Sequence, residues 1–181
     1  MKHRFGALAA VALGGVGLSV VTGLSNSARA QDFLSGHVGV AFPIVTHSST
    51  TGTTNIGESF NILFPFGVGV RPEGWPVLLD FEFVPEVHPS SRTTTLLIHP
   101  GVILPLPDNW AVGIRAAFEI NQNSVGFTPL VNKSFPVTGH KFKWFVEGDL
   151  PVRFVQVNNP FPARPTDSTT VGFVLHLGLA F

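Results

Sequence analysis

Beyond residue 32, apolar and polar side chains alternate one for one along most of the chain. That two-residue period marks β-strands with unlike faces, not helices. In 33–42, Leu34, Gly36, Val38, Val40 and Phe42 share one phase, while Ser35, His37, Gly39 and Ala41 take the other. Residues 59–71 set Phe60, Ile62, Phe64, Phe66, Val68 and Val70 against Asn61, Gly67, Gly69 and Arg71. In 75–85, Trp75, Val77, Leu79, Phe81 and Phe83 oppose Asp80 and Glu82; in 95–106, Leu96, Ile98, Val102, Leu104 and Leu106 oppose Thr95, His99 and Gly101. In 110–120, Trp110, Val112, Ile114, Phe118 and Ile120 face away from Gly113, Arg115, Ala117 and Glu119. Residues 124–135 follow with Val125, Phe127 and Val131 against Gly126, Thr128 and Asn132, interrupted by Pro129. Residues 142–155 set Phe142, Trp144, Val146, Leu150, Val152 and Phe154 against Lys143, Glu147, Asp149 and Arg153. Residues 171–181 end the chain with Val171, Phe173, Leu175, Leu177, Leu179 and Phe181 against Gly172, His176, Gly178 and Ala180. Most of these eight predicted strands are near the ~9–11 residues that cross a bilayer when tilted.

The connections fall into two kinds. Pro72-Glu73-Gly74 and Pro107-Asp108-Asn109 are compact turns after the second and fourth strands, built from residues that favour tight reversals. Residues 44–55, 86–94 and 156–170 are longer and rich in Ser, Thr and Pro, whereas Asn121-Gln122-Asn123 is short. Short turns at one end and longer loops at the other are the habit of outer-membrane barrels, which predicts both termini on the periplasmic side.

The first thirty residues follow another pattern. A basic start, MKHR, leads into the apolar stretch 5–24, and Ala28-Arg29-Ala30 offers a small-x-small site before Gln31. This order predicts a cleaved secretory signal peptide over 1–30 and a single mature domain over 31–181. There are no cysteines, so disulfides, thiolate metal sites and a lipid-bearing amino terminus are all excluded. Three of the 11 basic residues, Lys2, Arg4 and Arg29, lie in the leader. The mature chain is therefore slightly acidic, with no pull toward nucleic acid. Only 12% of residues are charged, about half the usual share of a soluble domain. Yet after the leader no apolar run approaches the ~20 residues of a membrane helix. A membrane chain without such helices closes its backbone hydrogen bonds as a barrel.

Alternation alone leaves open which face is outside, since a soluble exported carrier would turn the same phenylalanines inward around an apolar ligand. Three features favour lipid. Trp75, Trp110 and Trp144 each begin an upward strand in the apolar phase and would form an aromatic girdle at one membrane edge with Phe181. The tail VGFVLHLGLAF resembles the terminal strand of bacterial outer-membrane proteins, whose alternating apolar residues and last aromatic are read by the barrel-assembly machinery. The charge deficit fits a face that meets hydrocarbon. Over 31–181 the chain resembles the small eight-stranded OmpA/OmpX/OmpW-type barrels, in architecture and terminal strand. That resemblance implies an all-β, eight-stranded, antiparallel up-and-down transmembrane β-barrel in the Gram-negative outer membrane, in contact with its lipid and lipopolysaccharide. It implies no single activity and no cofactor. Pro65, Pro100, Pro129 and Pro151 fall within predicted strands, where each removes a ladder donor that hydrocarbon cannot replace.

Candidate chemistry lies on the polar phase. His37, Asp80, Glu82, His99, Arg115, Glu119, Glu147, Asp149, Arg153 and His176 are expected to point into the lumen as a mixed-charge network. The interior of an eight-stranded barrel is just wide enough to be filled by side chains, so the expectation is a filled polar lumen and a structural or surface-interaction role. The alternatives are a narrow gated channel turning on Arg115 or Arg153, a lipid-modifying enzyme, and the soluble carrier. His47-Ser48-Ser49 is the nearest thing to a nucleophile and base, but adjacency in sequence does not make a dyad. No catalytic, cofactor or metal residue is assigned; a zinc set of His37, His176 and Asp80 is the one metal combination that closure would bring together. Surface ligands would meet the long loops, most plausibly at Phe161 and Arg164 among Pro160, Pro162 and Pro165.

Overall fold

The computed structural model describes residues 33–120, 124–157 and 166–181. The leader assigned to 1–30 lies outside these, as do Asn121 to Asn123 and the Phe161 and Arg164 cluster. Eleven strands run β1 (Leu34–Ser48), β2 (Gly52–Asn55), β3 (Ile62–Leu63), β4 (Phe66–Val70), β5 (Leu78–His88), β6 (Thr93–Pro105), β7 (Trp110–Ile120), β8 (Ser124–Pro136), β9 (Lys143–Asp149), β10 (Val152–Val157) and β11 (Thr166–Ala180). They build eight staves. β3 and β4 together form the second, between β1 and β5. β9 and β10 together form the seventh, between β8 and β11. β11 then pairs antiparallel with β1 from His37↔Ala180 to Ser48↔Thr170 and closes the barrel. Closure removes the free edges that an open sheet would present.

The strand limits depart from the sequence reading in several places. The predicted loop 44–55 is mostly strand: β1 continues to Ser48, and β2 folds back on it with Val45↔Asn55 and Ser48↔Gly52 in register. The predicted loop 86–94 shrinks to 89–92, because β5 runs to His88 and β6 begins at Thr93. Both extensions are rich in Thr and Val, whose branched side chains suit the pleated surface. β11 likewise begins at Thr166, before the predicted residue 171. Trp75 sits in the turn before β5, not in the strand, and the second and seventh staves are each broken once. The lower turn at Pro107–Asn109 reverses the chain with Asp108 and Asn109 at φ 58° and 60°, a region those two residue types enter more readily than most.

The breaks are made by prolines. Pro65 separates β3 from β4, Pro151 separates β9 from β10, and at Pro43 the register of β1 on β11 slips by one. Proline has no N–H to give, but its carbonyl still accepts. Gly39 N donates to Pro65 O at 2.9 Å, Phe64 N to Pro85 O at 2.9 Å, Leu150 N to Pro129 O at 2.9 Å and Gly172 N to Pro151 O at 3.0 Å. The staves thus stay joined across each break. Pro100 keeps its place opposite Phe81 on β5, while the ladder to β7 passes from Ile98 to Gly101.

The two faces of the wall are inverted relative to a water-soluble protein. Among the described residues, thirty large apolar side chains are exposed, whereas the buried set holds nine apolar and nine polar or charged residues. Val38, Phe66, Phe81, Val102, Ile114, Phe118, Val131, Phe154 and Leu177 all lie on the outside. A soluble monomer rarely exposes a continuous apolar patch beyond a few hundred Å²; here the patch girds the barrel.

Candidate functional site

Half-way up the lumen, inward positions of five staves converge on one guanidinium. Arg115 on β7 donates from Nε to Asp80 Oδ2 at 2.7 Å and from Nη1 to Glu147 Oε1 at 2.8 Å. Nη1 also stands 3.7 Å from both Glu82 Oε2 and Asp149 Oδ1. Three imidazoles complete the layer. His37 Nε2 meets Glu82 Oε1 at 3.0 Å, His99 Nδ1 meets Glu82 Oε2 at 3.0 Å, and His176 Nδ1 meets Glu147 Oε1 at 3.2 Å. Arg153 Nη2 lies 3.1 Å from His99 Nε2. A guanidinium only donates, so His99 Nε2 accepts, and its proton sits on Nδ1, directed at Glu82.

The register explains why these side chains meet. Glu82 lies opposite His99, and Glu147 opposite His176, while Asp80 and Arg115 flank Gly101 on adjacent strands. The inward glycines are cradles for the bulky groups. A Cβ on Gly101 would lie 2.6 Å from Arg115 Cγ, and one on Gly67 would lie 2.5 Å from His37 Cε1. Close approach, not backbone freedom, is what these glycines supply.

Eight of the ten lumen candidates form this layer: His37, Asp80, Glu82, His99, Arg115, Glu147, Asp149 and His176. Arg153 joins it through His99. Glu119 stands apart, half-buried toward the loop end, where it and Glu86 lie within electrostatic reach of Arg153. Asn132, which the sequence reading left off the site, donates to Glu147 Oε2 at 3.0 Å. Its inward phase on β8 was the available signal.

The layer does not fill the whole lumen, although Glu86, Glu119 and Arg153 line the space above it and Arg71, Lys141 and Lys143 the space below. Above it is a chamber of about 170 Å³, and below it a vestibule of about 870 Å³; Arg115 lines both. Ala41, Leu63, Val84, Leu97 and Val174 form an apolar cluster inside the upper half, and Ile103, Leu130 and Phe145 are buried as well. The expected filled polar lumen is thus filled across the charged layer, with a space on either side of it and an apolar cluster in the upper half. Leu97 and Val84 were hidden in the sequence because apolar neighbours flank each of them and mask the alternation.

The described histidines are held as follows. Glu82, Glu147 and His176 bring ligand atoms within 4.8 Å of one another, but the Arg115 guanidinium already supplies the positive charge among those acceptors. His37 and His176 have ring centroids 6.4 Å apart, and His37 Nδ1 is 3.9 Å from Asp80 Oδ1. Where β1 turns into β2, His47 Nδ1 bonds Thr53 Oγ1 at 2.8 Å, while Ser48 Oγ bonds Thr50 Oγ1 at 3.0 Å and Ser49 Oγ accepts from Thr169 N at 3.0 Å. His88 touches Thr95 Oγ1 at 3.4 Å and Glu86 Oε1 at 3.8 Å through the same Nε2, whereas a relay needs the carboxylate on the other nitrogen.

At the lower rim, Trp75, Trp110, Trp144 and Phe181 are all exposed. Phe181 is held by a reciprocal pair with Gly36, at 2.8 and 2.9 Å. Phe135, opposite Trp144, belongs with them. Lys133 reaches over the Trp110 ring at 4.9 Å and donates to Asp108 O, a snorkelling posture suited to an interface.

No family model and no curated protein matches the chain. Two solved structures are similar to it. The outer membrane protein AlkL, determined by solid-state NMR in DMPC lipid bilayers, shares 9% identity over 100% of this chain and 96% of its own, with a TM-score of 0.49. A de novo designed transmembrane β-barrel shares 13% identity over 78% of this chain and 94% of its own, with a TM-score of 0.39. The closure into eight staves is seen directly in the strand pairing and does not depend on these likenesses.

Proposed function

We propose that this protein is a small, non-enzymatic barrel of the bacterial outer membrane, exported by a cleaved leader and occluded at mid-height. In this reading it serves as a structural or surface-interaction element, akin in architecture to the OmpA/OmpX/OmpW-type barrels. One observation carries the proposal: the staves are inside-out, with apolar side chains over the outer wall and a hydrogen-bonded layer of charges across the lumen. An outer wall of this kind is stable in hydrocarbon, where a closed barrel satisfies its own backbone. The charged layer leaves no straight path for solute. Lipid and lipopolysaccharide would contact the wall, the barrel-assembly machinery would read the strand ending in Phe181, and the loop end would face the medium.

Fractionation and planar-bilayer recording test the two halves of the proposal. The protein should extract only with detergent and show a heat-modifiable gel shift; clean release with periplasmic fluid refutes the membrane placement. Wild-type protein should give no unitary current steps, whereas Arg115→Ala with Glu147→Ala, which removes two pillars of the partition, should give them. Regular steps from wild type refute occlusion. Altered lipid A on overexpression would refute the non-enzymatic reading.

A further inference from the structure

The chamber above the partition has two unlike walls. Ala41, Leu63, Val84, Leu97 and Val174 make one of them apolar. From β8 and β9, Thr128 and Asp149 line the other. Both are more than nine-tenths buried, at 3% and 7% exposure. Thr128 Oγ1 and Asp149 Oδ1 are nevertheless buried atoms without a hydrogen-bond partner. Native proteins seldom leave such atoms unpaired, and two of them at one cavity mark where a donor from outside the chain, water or a ligand, would sit.

Charge indicates which donor. The chamber is lined by four carboxylates, Glu82, Glu86, Glu119 and Asp149, against the two guanidiniums of Arg115 and Arg153. Both guanidiniums are engaged, Arg115 with Asp80 and Glu147, leaving its Nη1 3.7 Å from Asp149 Oδ1, beyond hydrogen-bond reach, and Arg153 with Phe127 O, Val152 O and His99. An anion would meet an acidic wall. A neutral alcohol would supply one donor but leave the acidic excess. A primary ammonium group supplies three donors and a positive charge. Size limits the rest of the molecule, since a cavity of ~150 Å³ is known to take benzene and this one holds about 170 Å³.

We propose that the upper chamber binds a small primary ammonium compound with a ring-sized apolar body. The ammonium donates to Asp149 Oδ1 and Thr128 Oγ1, and the body lies against Ala41, Leu63, Val84, Leu97 and Val174. This site goes beyond the occluded-barrel reading and is independent of conduction, because the chamber lies wholly on one side of the partition.

The test is calorimetric titration of the refolded full chain in detergent micelles with benzylammonium, and with benzyl alcohol and benzoate as near-isosteres of other charge. Benzylammonium should bind with one site per chain, about tenfold more tightly than the alcohol, as a charge-assisted hydrogen bond commands. Benzoate should not bind. Asp149→Asn should abolish the preference for the cation, and Val84→Phe, which fills the chamber, should abolish binding altogether. Each variant is first checked for the gel shift of the folded barrel. Should Asp149→Asn fail to fold, Thr128→Val removes only the hydroxyl and should weaken benzylammonium severalfold. Equal affinity for all three compounds, heat unaffected by Val84→Phe, or no saturable binding of benzylammonium each overturns the proposal.

Discussion

The partition stands on one guanidinium, so replacing Arg115 by methionine removes the charge while nearly keeping the length. At an effective dielectric of about 20, each of the two short ion pairs, at 2.7 and 2.8 Å, is worth about 6 kcal/mol gross, and each of the two at 3.7 Å about 4 kcal/mol. Desolvation of a guanidinium and four carboxylates cancels most of that. The measurable quantity is the cost of leaving buried acids without their cation, about 3–5 kcal/mol. Urea unfolding in lipid vesicles, followed by tryptophan fluorescence, reads it, because Trp75, Trp110 and Trp144 all sit at the rim. The decisive comparison is the triple variant Arg115→Met, Asp80→Asn, Glu147→Gln, in which the excess acid is removed together with the base. It should regain at least half of the lost stability, since apolar or neutral replacement of a whole buried ion pair is often nearly free. A loss below about 1 kcal/mol in the single variant, or no recovery in the triple one, would show that Arg115 is not the keystone of the layer.

Gly101→Val should cost about 1–3 kcal/mol in the same unfolding assay, as overpacking does, because its Cβ would meet Arg115 Cγ and Ile114 O, each at 2.6 Å; a neutral effect would mean that Arg115 does not lie over Gly101. Lipids brominated near the headgroup should quench the three tryptophans more than lipids brominated at the chain ends, and the opposite order would contradict their placement at one rim. Amide hydrogen exchange should be faster around Pro43, Pro65 and Pro151, where rungs are missing, than along β7; uniform protection would show that the breaks do not loosen the wall.

Much of this fold is legible in alternation alone. β7 was bounded correctly at both ends by Trp110 and Ile120, since a single period runs through it and turn residues flank it. β8 forms one continuous strand through Pro129, because that proline still pairs with Ile114 and lends its carbonyl to Leu150. The loops are less legible, because Ser, Thr and Pro mask the alternation there. Thr93 and Thr94 read as a polar connection, yet they extend β6 opposite His88 and Val87, because polar residues on both faces hide the alternation there.

The interior was legible in its charges and not in its apolar half, and the reason is physical. A lipid-facing wall fixes only one phase of each strand; the other phase has to satisfy whatever meets across the lumen. Where Arg115 and the carboxylates meet, opposite charge does this, and the residues stand out in any sequence. Above them, Ala41, Leu63, Val84, Leu97 and Val174 do it by burying one another, and in sequence all but Ala41 look like the apolar neighbours that face outward. The prolines belong to the same problem. Pro43, Pro65 and Pro151 all line the upper chamber, from the first, second and seventh staves. A proline costs a rung whichever way its ring points, but turned toward the chamber the ring adds an apolar surface there. What reads in the sequence as the strongest objection to a membrane barrel is, in the folded chain, part of what keeps one side of the chamber apolar.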